Sequence, residues 1–254
     1  MLLLAILFVT IIGALALVNY VDQRHARVRA IRARLTRLRY EVEDLEETLE
    51  CLENILPERQ VAWHVNQEIL RLLNTMLNQE PGNTSPIQTS IEKAEERAQR
   101  LADGRRKPRV GYARNSDAKI AQAQHYLNKA ATVIRRRQSR DELDLEQQET
   151  FLRELTWASL MVSVASFVNQ GNKAVRRNDS MSAHAFFKKA QGMLIGSPHP
   201  NPERMRLIRE LGELMSGRRT TISEDLLPQD DPQPSSSATG VEAEPEDPAL
   251  AESP

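Results

Sequence analysis

The 254-residue chain has few aromatic residues, 4% of the total, and is dominated by residues that favour helices. Such a composition is typical of long helices and disfavours sandwiches and barrels. The formal net charge of −1 conceals strongly segregated blocks of charge, so the local blocks are more informative than the overall balance. The single cysteine, Cys51, excludes an internal disulfide. The sequence predicts an all-α protein.

Residues 1–20 predict a transmembrane anchor. Residues 2–18 carry no charge, and as a helix they span about 25 Å, which crosses the hydrocarbon core of a bilayer. No Lys or Arg precedes this run, whereas arginines follow it closely at Arg24, Arg27, Arg29, Arg32, Arg34, Arg37 and Arg39. Positive charge resists translocation, so we expect a single-pass protein of the inner (plasma) membrane, with its N-terminus outside and its C-terminal region cytoplasmic.

A cleaved signal peptide is the alternative interpretation of this segment. Ala14-Leu15-Ala16 has the small-x-small form of a cleavage site. A signal peptide normally carries its positive charge before the apolar stretch, however, and here the charge comes after it. The pattern therefore favours an anchor over an exported envelope protein.

A heptad pattern follows in residues 21–79. Apolar residues alternate in steps of three and four, the seam of a left-handed coiled coil, at Val28, Ile31, Leu35, Leu38, Val42, Leu45, Leu49, Leu52 and Leu56. Pro57 ends the pattern, and the same spacing resumes at Ala62, Val65, Ile69, Leu72 and Met76.

The charges flanking this seam disfavour a parallel homodimer. In such a dimer the residues beside the seam of one copy would face those of the other, pairing Arg34 with Arg39 and Glu41 with Glu46. Each pair brings together charges of the same sign, which is unfavourable. An antiparallel partner suits the seam better, and the segment after Pro57 supplies one. We expect an intramolecular helical hairpin, with a homodimer or a second protein as the other ways to cover the seam.

The remainder divides into a linker, a helical region and a tail. Residues 80–90 are rich in turn-forming residues and predict a domain boundary, after which Thr89 and Glu92 have the spacing of a capping box. Residues 91–219 predict a helical domain whose last helix is capped by Asn201 and followed by Gly217. Residues 220–254 contain no Lys or Arg and predict a disordered acidic tail.

Residues 155–198 carry small and aromatic residues at a characteristic spacing, with Phe167 and Gly171 in one predicted helix and Ala183, Phe187 and Ala190 in the next. This pattern resembles a tetratricopeptide-like helical hairpin. Gln170 and Ala174 depart from the repeat, which prefers a large apolar and an aromatic residue there. The resemblance implies stacked helices that bind a peptide or helix of another protein without catalysis.

The segment 97–140 is strongly basic and is a candidate contact for anions. Its densest clusters are Arg105, Arg106, Lys107, Arg109, Arg135, Arg136 and Arg137. A positive field of this kind attracts nucleic acid, anionic lipid or an acidic partner, although no nucleic-acid-binding motif accompanies it. The alternative is a solvated basic face that is balanced by nearby acidic segments.

No sequence pattern indicates an enzyme. The five histidines stand apart without metal-ligand spacing, and no glycine-rich phosphate loop or nucleophile elbow occurs. We therefore expect no catalytic residue, metal, cofactor or small-molecule substrate. The pattern favours a membrane-anchored helical scaffold or adaptor that binds a protein partner at the cytoplasmic face. The alternatives are a membrane-tethered binder of nucleic acid or anionic lipid through residues 97–140, and an exported envelope protein.

Overall fold

The computed structural model describes residues 2–80, 82–103, 111–219 and 223, and side chains from residue 25 onward except residue 27. Seven helices and no strands are found in these ranges, which confirms the all-α prediction. The helices are α1 (Leu2–Ile55), α2 (Gln60–Leu77), α3 (Ser85–Ala102), α4 (Asp117–Gln138), α5 (Leu145–Arg176), α6 (Ser180–Gly196) and α7 (Glu203–Met215).

Helices α2 and α4 both pack on α1. The residue after the α2 C-terminal turn, Glu80, lies 3.6 Å from Arg39 of α1, so α2 returns along α1. Helix α4 also runs against α1, because Lys129 Nζ contacts Asp44 and the later Arg136 contacts the earlier Glu41. Helices α2 and α4, which also contact each other, are therefore parallel. Helices α5, α6 and α7 continue the stack in chain order.

Helix α5 links two hydrophobic cores. Its N-terminal half, including Phe151 and Leu155, belongs to a core that extends from Leu35 through α1 to α5. Its C-terminal half belongs to a second core with α6 and α7. Since two sets of helices cover it, α5 is apolar on most of its faces, which explains its lack of a single hydrophobic stripe.

The heptad seam of α1 is buried over most of its length. Six of the nine predicted seam residues lie in the first core, namely Leu35, Val42, Leu45, Leu49, Leu52 and Leu56. Leu38 is partly buried, whereas Val28 and Ile31 are 36% and 39% exposed. Thr48 and Ile55, beside the seam, are also fully buried. The buried face is wider than a coiled-coil seam because both α2 and α4 pack on α1.

The segment 80–90 differs from the prediction. Helix α3 begins at Ser85, and the backbone N–H of Ser85 donates to the side chain of Asn83. Thr89 lies within the helix and donates its hydroxyl to the Ser85 carbonyl, so the predicted capping box at Thr89 is wrong. Pro86 permits the earlier start because its fixed φ fits a first helical turn. The first core includes residues on both sides of this segment, so it does not separate two cores.

The later helix ends follow local capping chemistry. Ser116, Asp144 and Asp179 each accept a hydrogen bond from a backbone N–H in the first turn of the next helix. Helix α7 begins at Glu203 with Pro202 at its N-cap, one residue later than the cap at Asn201 predicts, although the Asn201 side chain accepts a hydrogen bond from Glu203 N. Gly217, with φ of +71°, follows the end of α7 in the left-handed region that glycine favours.

The predicted anchor, residues 1–20, lies outside the part of the chain whose side chains are described. Among the described residues, one helix is long and apolar enough to cross a membrane by length and composition, and this helix is α5. Of its most apolar window, 61% is buried against the rest of the protein, as expected for a helix that joins two cores. The predicted acidic tail, 220–254, also lies outside the described residues except for Ser223.

The α5–α6 hairpin depends on a close approach at Gly171. A Cβ atom at this position would lie 2.5 Å from Cε1 of Phe187, well inside van der Waals contact. Gly192 of α6 is the opposite case, because a Cβ atom there meets nothing within 4 Å. The absence of a side chain at Gly171 therefore lets the Phe187 ring pack directly on α5.

We predict that Gly171→Ala lowers the free energy of unfolding by about 1–3 kcal/mol, since the added methyl group forces the buried Phe187 ring to move. Gly192→Ala is the matched control and should raise stability by up to about 1 kcal/mol, because alanine favours a helix interior. Chemical denaturation of the full chain, followed by tryptophan fluorescence, measures both. Equal effects of the two substitutions would contradict the packing described here.

Candidate functional site

A groove of about 330 Å³ runs along the face where α4, α5 and α6 meet. Helix α4 provides Gln124, Leu127, Asn128, Ala131 and Arg135, spaced three and four apart so that they share one face. The other lining residues are Leu152, Leu155, Thr156, Ser159, Leu160 and Ser163 of α5, with Met193 and Ser197 at the end of α6.

The groove combines an apolar floor with a polar rim. Leu127 and Leu155 are buried beneath it, whereas Asn128, Arg135 and Thr156 are exposed at its edges. At one end Gln124 Nε2 donates to Ser163 Oγ at 2.8 Å, which joins α4 to α5. An apolar floor with a few amide, hydroxyl and guanidinium groups at the rim suits a ligand that presents both apolar side chains and peptide groups.

The residues of the tetratricopeptide-like resemblance lie beside this groove. Phe167, Ala183, Phe187 and Ala190 belong to the second core, and Gly171 is buried against Phe187. Lys189 Nζ lies 4.0 Å from the centroid of the Phe167 ring. These contacts hold α6 against α5 and so position Met193 and Ser197 at the groove. The five residues therefore support one wall of the groove without lining it.

The structure places the predicted anion contacts in different environments. Arg105, Arg106, Lys107 and Arg109 lie outside the described residues. Arg135 is exposed at the rim of the groove.

Two of the other predicted anion contacts are engaged in ion pairs. Arg136 Nη1 donates to Glu41 at 2.9 Å and to Glu68 at 3.3 Å. Arg137 is 8% exposed and lies 3.2 Å from Glu142. These two guanidinium groups therefore pair with carboxylates of the same chain, whereas Arg135 has no ion pair with a described residue.

Glu68 of α2 is a fully buried carboxylate held by three arginines. Arg71 donates two hydrogen bonds to it, at 2.7 and 3.0 Å, and Arg140 donates two more, at 2.5 and 3.5 Å. Arg136 adds a fifth and connects Glu68 to Glu41 of α1. The carboxylate thus joins α2 to α4 and, through Arg136, to α1.

The ionisation of Glu68 reflects this environment. Burial is the largest single influence and works against the charged form, but the hydrogen bonds and charges of Arg71 and Arg140 together outweigh it. They lower the pKa of Glu68 to about 2 from its usual 4.5. The sequence contained little sign of this centre, since only the Glu68–Arg71 spacing hints at an ion pair within one helix turn.

Three carboxylates in the acidic half of α1 pair with cations of neighbouring helices. Glu41 and Asp44 contact Arg136 and Lys129 of α4, and Glu46 lies 4.0 Å from Arg97 of α3. Glu41 and Glu46, whose charges disfavour a parallel homodimer, therefore pair with cations of the same chain.

A second titratable group lies where the α1–α2 turn meets α5. Burial, followed by the charge of Glu58, raises the pKa of Glu154 to about 7. Nearby on α2, burial and then the charge of Arg137 lower the pKa of His64 to about 4. The His64 ring packs on Phe151 with centroids 5.2 Å apart.

Over the part of the chain that is described, no group of three or more His, Cys, Asp or Glu is placed to hold a metal ion.

Compared with protein-family models, with curated proteins and with solved structures, the chain has no match.

We predict that Glu68→Gln lowers the free energy of unfolding by about 1–3 kcal/mol at pH 7, because the substitution removes charge-assisted hydrogen bonds to partly exposed guanidinium groups and turns a buried amide N–H group towards them. The pKa of Glu68 is lower in the folded chain than in the unfolded chain. Its contribution is therefore complete above about pH 4.5 and is lost as the pH falls towards 2. Denaturation of both proteins across this range should show their difference shrinking with acidification.

Glu43→Gln is the control for this experiment. Glu43 is exposed on α1, and its neutralisation should change stability by no more than about 0.5 kcal/mol. A Glu68→Gln protein as stable as the Glu43→Gln protein at pH 7 would show that the buried network is dispensable.

Proposed function

We propose that this chain is a membrane-anchored helical scaffold or adaptor that binds a protein partner at the cytoplasmic face of the membrane. The groove between α4, α5 and α6 carries the proposal. It is concave, has an apolar floor and a hydrogen-bonding rim, and is built on helices that two cores hold in place. Such a surface fits an extended peptide or the face of a helix. The resemblance of residues 155–198 to a tetratricopeptide-like hairpin is compatible with this use.

The continuity of α1 supports the membrane part of the proposal. One helix of 54 residues, about 80 Å long, includes both the predicted anchor and the first helix of the bundle. An anchor in this position would hold the groove at a limited distance from the bilayer. Confinement of this kind raises the effective concentration of the scaffold towards partners in or near the same membrane.

The alternative of binding nucleic acid or anionic lipid through residues 97–140 receives less support. Five cations of this block are paired with carboxylates of the same chain, namely Arg97, Lys129, Arg136, Arg137 and Arg140. Paired cations release fewer counterions on binding a polyanion and so add less to affinity. We therefore place the protein partner first.

A photo-crosslinking residue at Thr156, at the rim of the groove, tests the proposal in intact cells that express the full chain. We expect a specific crosslinked protein that disappears when Ser159→Arg fills the groove, because the added side chain occupies the space for the partner. Asn128→Arg, an exposed change on the facing helix, should have the same effect. Immunoblotting of the crosslinked species reads the result.

Gln99→Arg on α3 adds the same charge at an exposed position away from the groove and should leave the crosslink intact. A crosslinker at Glu95, also exposed on α3, should not capture the same protein. A crosslink that survives both groove-filling changes would refute the groove as the binding site.

The proposed topology makes a separate prediction. Protease added to intact spheroplasts should leave a C-terminal epitope tag uncut, because the bulk of the chain would lie on the cytoplasmic side, and should remove it after permeabilisation. N-terminal sequencing should recover residue 1 or 2. Digestion without permeabilisation, or a mature chain that begins at Leu17, would instead support the exported alternative.

A further inference from the structure

The seam of α1 continues beyond the helices that cover it. Every side chain described between residues 25 and 34 is exposed, including the seam residues Val28 and Ile31. Leu35, the next seam residue, is 4% exposed and is the first to enter the core. The same apolar pattern is therefore buried from Leu35 onward and uncovered before it.

The cause is the length of α2. This helix ends at Leu77, and the turn that follows places Glu80 against Arg39 of α1. The seam residues Val28 and Ile31 precede this level, so α2 has no residues left to cover them. Nothing in the described ranges takes the place of α2 along this stretch.

The flanks of the uncovered seam have one sign of charge. In the heptad, Arg32 and Arg39 occupy equivalent positions on one flank, and Arg34 lies on the other. No Asp or Glu occurs between Asp22 and Glu41. A parallel second copy would bring Arg34 against Arg39, so self-pairing is electrostatically unfavourable.

The chain itself shows which charge complements these flanks. Arg39 has a carboxylate partner, Glu80, 3.6 Å away where α2 ends. Arg32, one heptad earlier on the same flank, is exposed and has no ion pair with any described residue. A helix that continued the line of α2 would cover Val28 and Ile31, and it would need acidic residues opposite Arg32 and Arg34.

We infer that residues 25–34 of α1 bind an acidic amphipathic helix of a partner protein, seated end to end with α2. Its apolar face covers Val28 and Ile31, and its carboxylates pair with Arg32 and Arg34. This surface is distinct from the groove between α4 and α6, so its failure in the experiment below would leave the groove proposal standing, and the reverse also holds.

Binding of two synthetic peptides to the full chain in zwitterionic nanodiscs tests the inference. Both peptides have about two heptads, the length that fits between the end of α2 and the proposed anchor, with Leu and Ile on the seam, and they differ only in carrying Glu or Lys on the flanks. Fluorescence anisotropy should show the Glu peptide binding at least about tenfold more tightly than the Lys peptide, because only its charges complement the arginines.

Charge reversal separates this site from general attraction to a basic protein. The double variant Arg32→Glu and Arg34→Glu should reverse the preference in favour of the Lys peptide. Val28→Asp with Ile31→Asp should abolish binding of the Glu peptide. All four positions are exposed, so the bundle should keep its unfolding transition. Lys119→Glu with Arg176→Glu, the matched control at exposed sites elsewhere, should leave binding within about twofold.

Three results would overturn the inference. The first is binding of the Glu peptide that is insensitive to both double variants. The second is a disulfide-linked dimer formed through Ile31→Cys in a Cys51→Ser background, which would make a second copy the occupant. The third is loss of peptide binding when phosphatidylglycerol enters the nanodisc, which would assign the arginines to lipid head groups.

Discussion

The buried carboxylate of Glu68 sets the geometry on which the rest of the bundle depends. It joins helices that are distant in sequence, because arginines from α2 and α4 converge on one side chain without solvent exposure. A buried charge is tolerated only when its hydrogen bonds are complete, so the positions of Arg71, Arg136 and Arg140 are fixed together. Once α4 is held against α1 and α2, the α4 face that lines the groove has a defined orientation.

This constraint also explains the charge pattern of the chain. The acidic half of α1 disfavours a self-paired stalk, and in the folded protein its carboxylates meet cations from α3 and α4. Arg29, Arg32 and Arg34 have no such partners among the described residues, since α2 ends too soon to reach them. A single helix thus changes from a core element with internal counter-charges to an exposed basic rod with an uncovered seam.

The two proposed binding surfaces have different physical origins. The groove arises from packing, because Gly171 lets Phe187 approach α5 and so brings α6 to the edge of the α4–α5 face. The exposed seam arises from a mismatch in length between α1 and α2. We therefore expect the two surfaces to bind different partners. The groove selects a partner by shape and hydrogen bonding, whereas the exposed seam selects a helix by its apolar spacing and its negative charge.

The sequence by itself determined the helical class and most of the seam of α1, because these depend on local composition and periodicity. Pro57 illustrates this, since the heptad pattern stops there and α1 ends at Ile55. Tertiary structure alone decided which charges are free. Arg136, a predicted anion contact, pairs with Glu41, which lies 95 residues away along the chain. No local pattern encodes such a pairing.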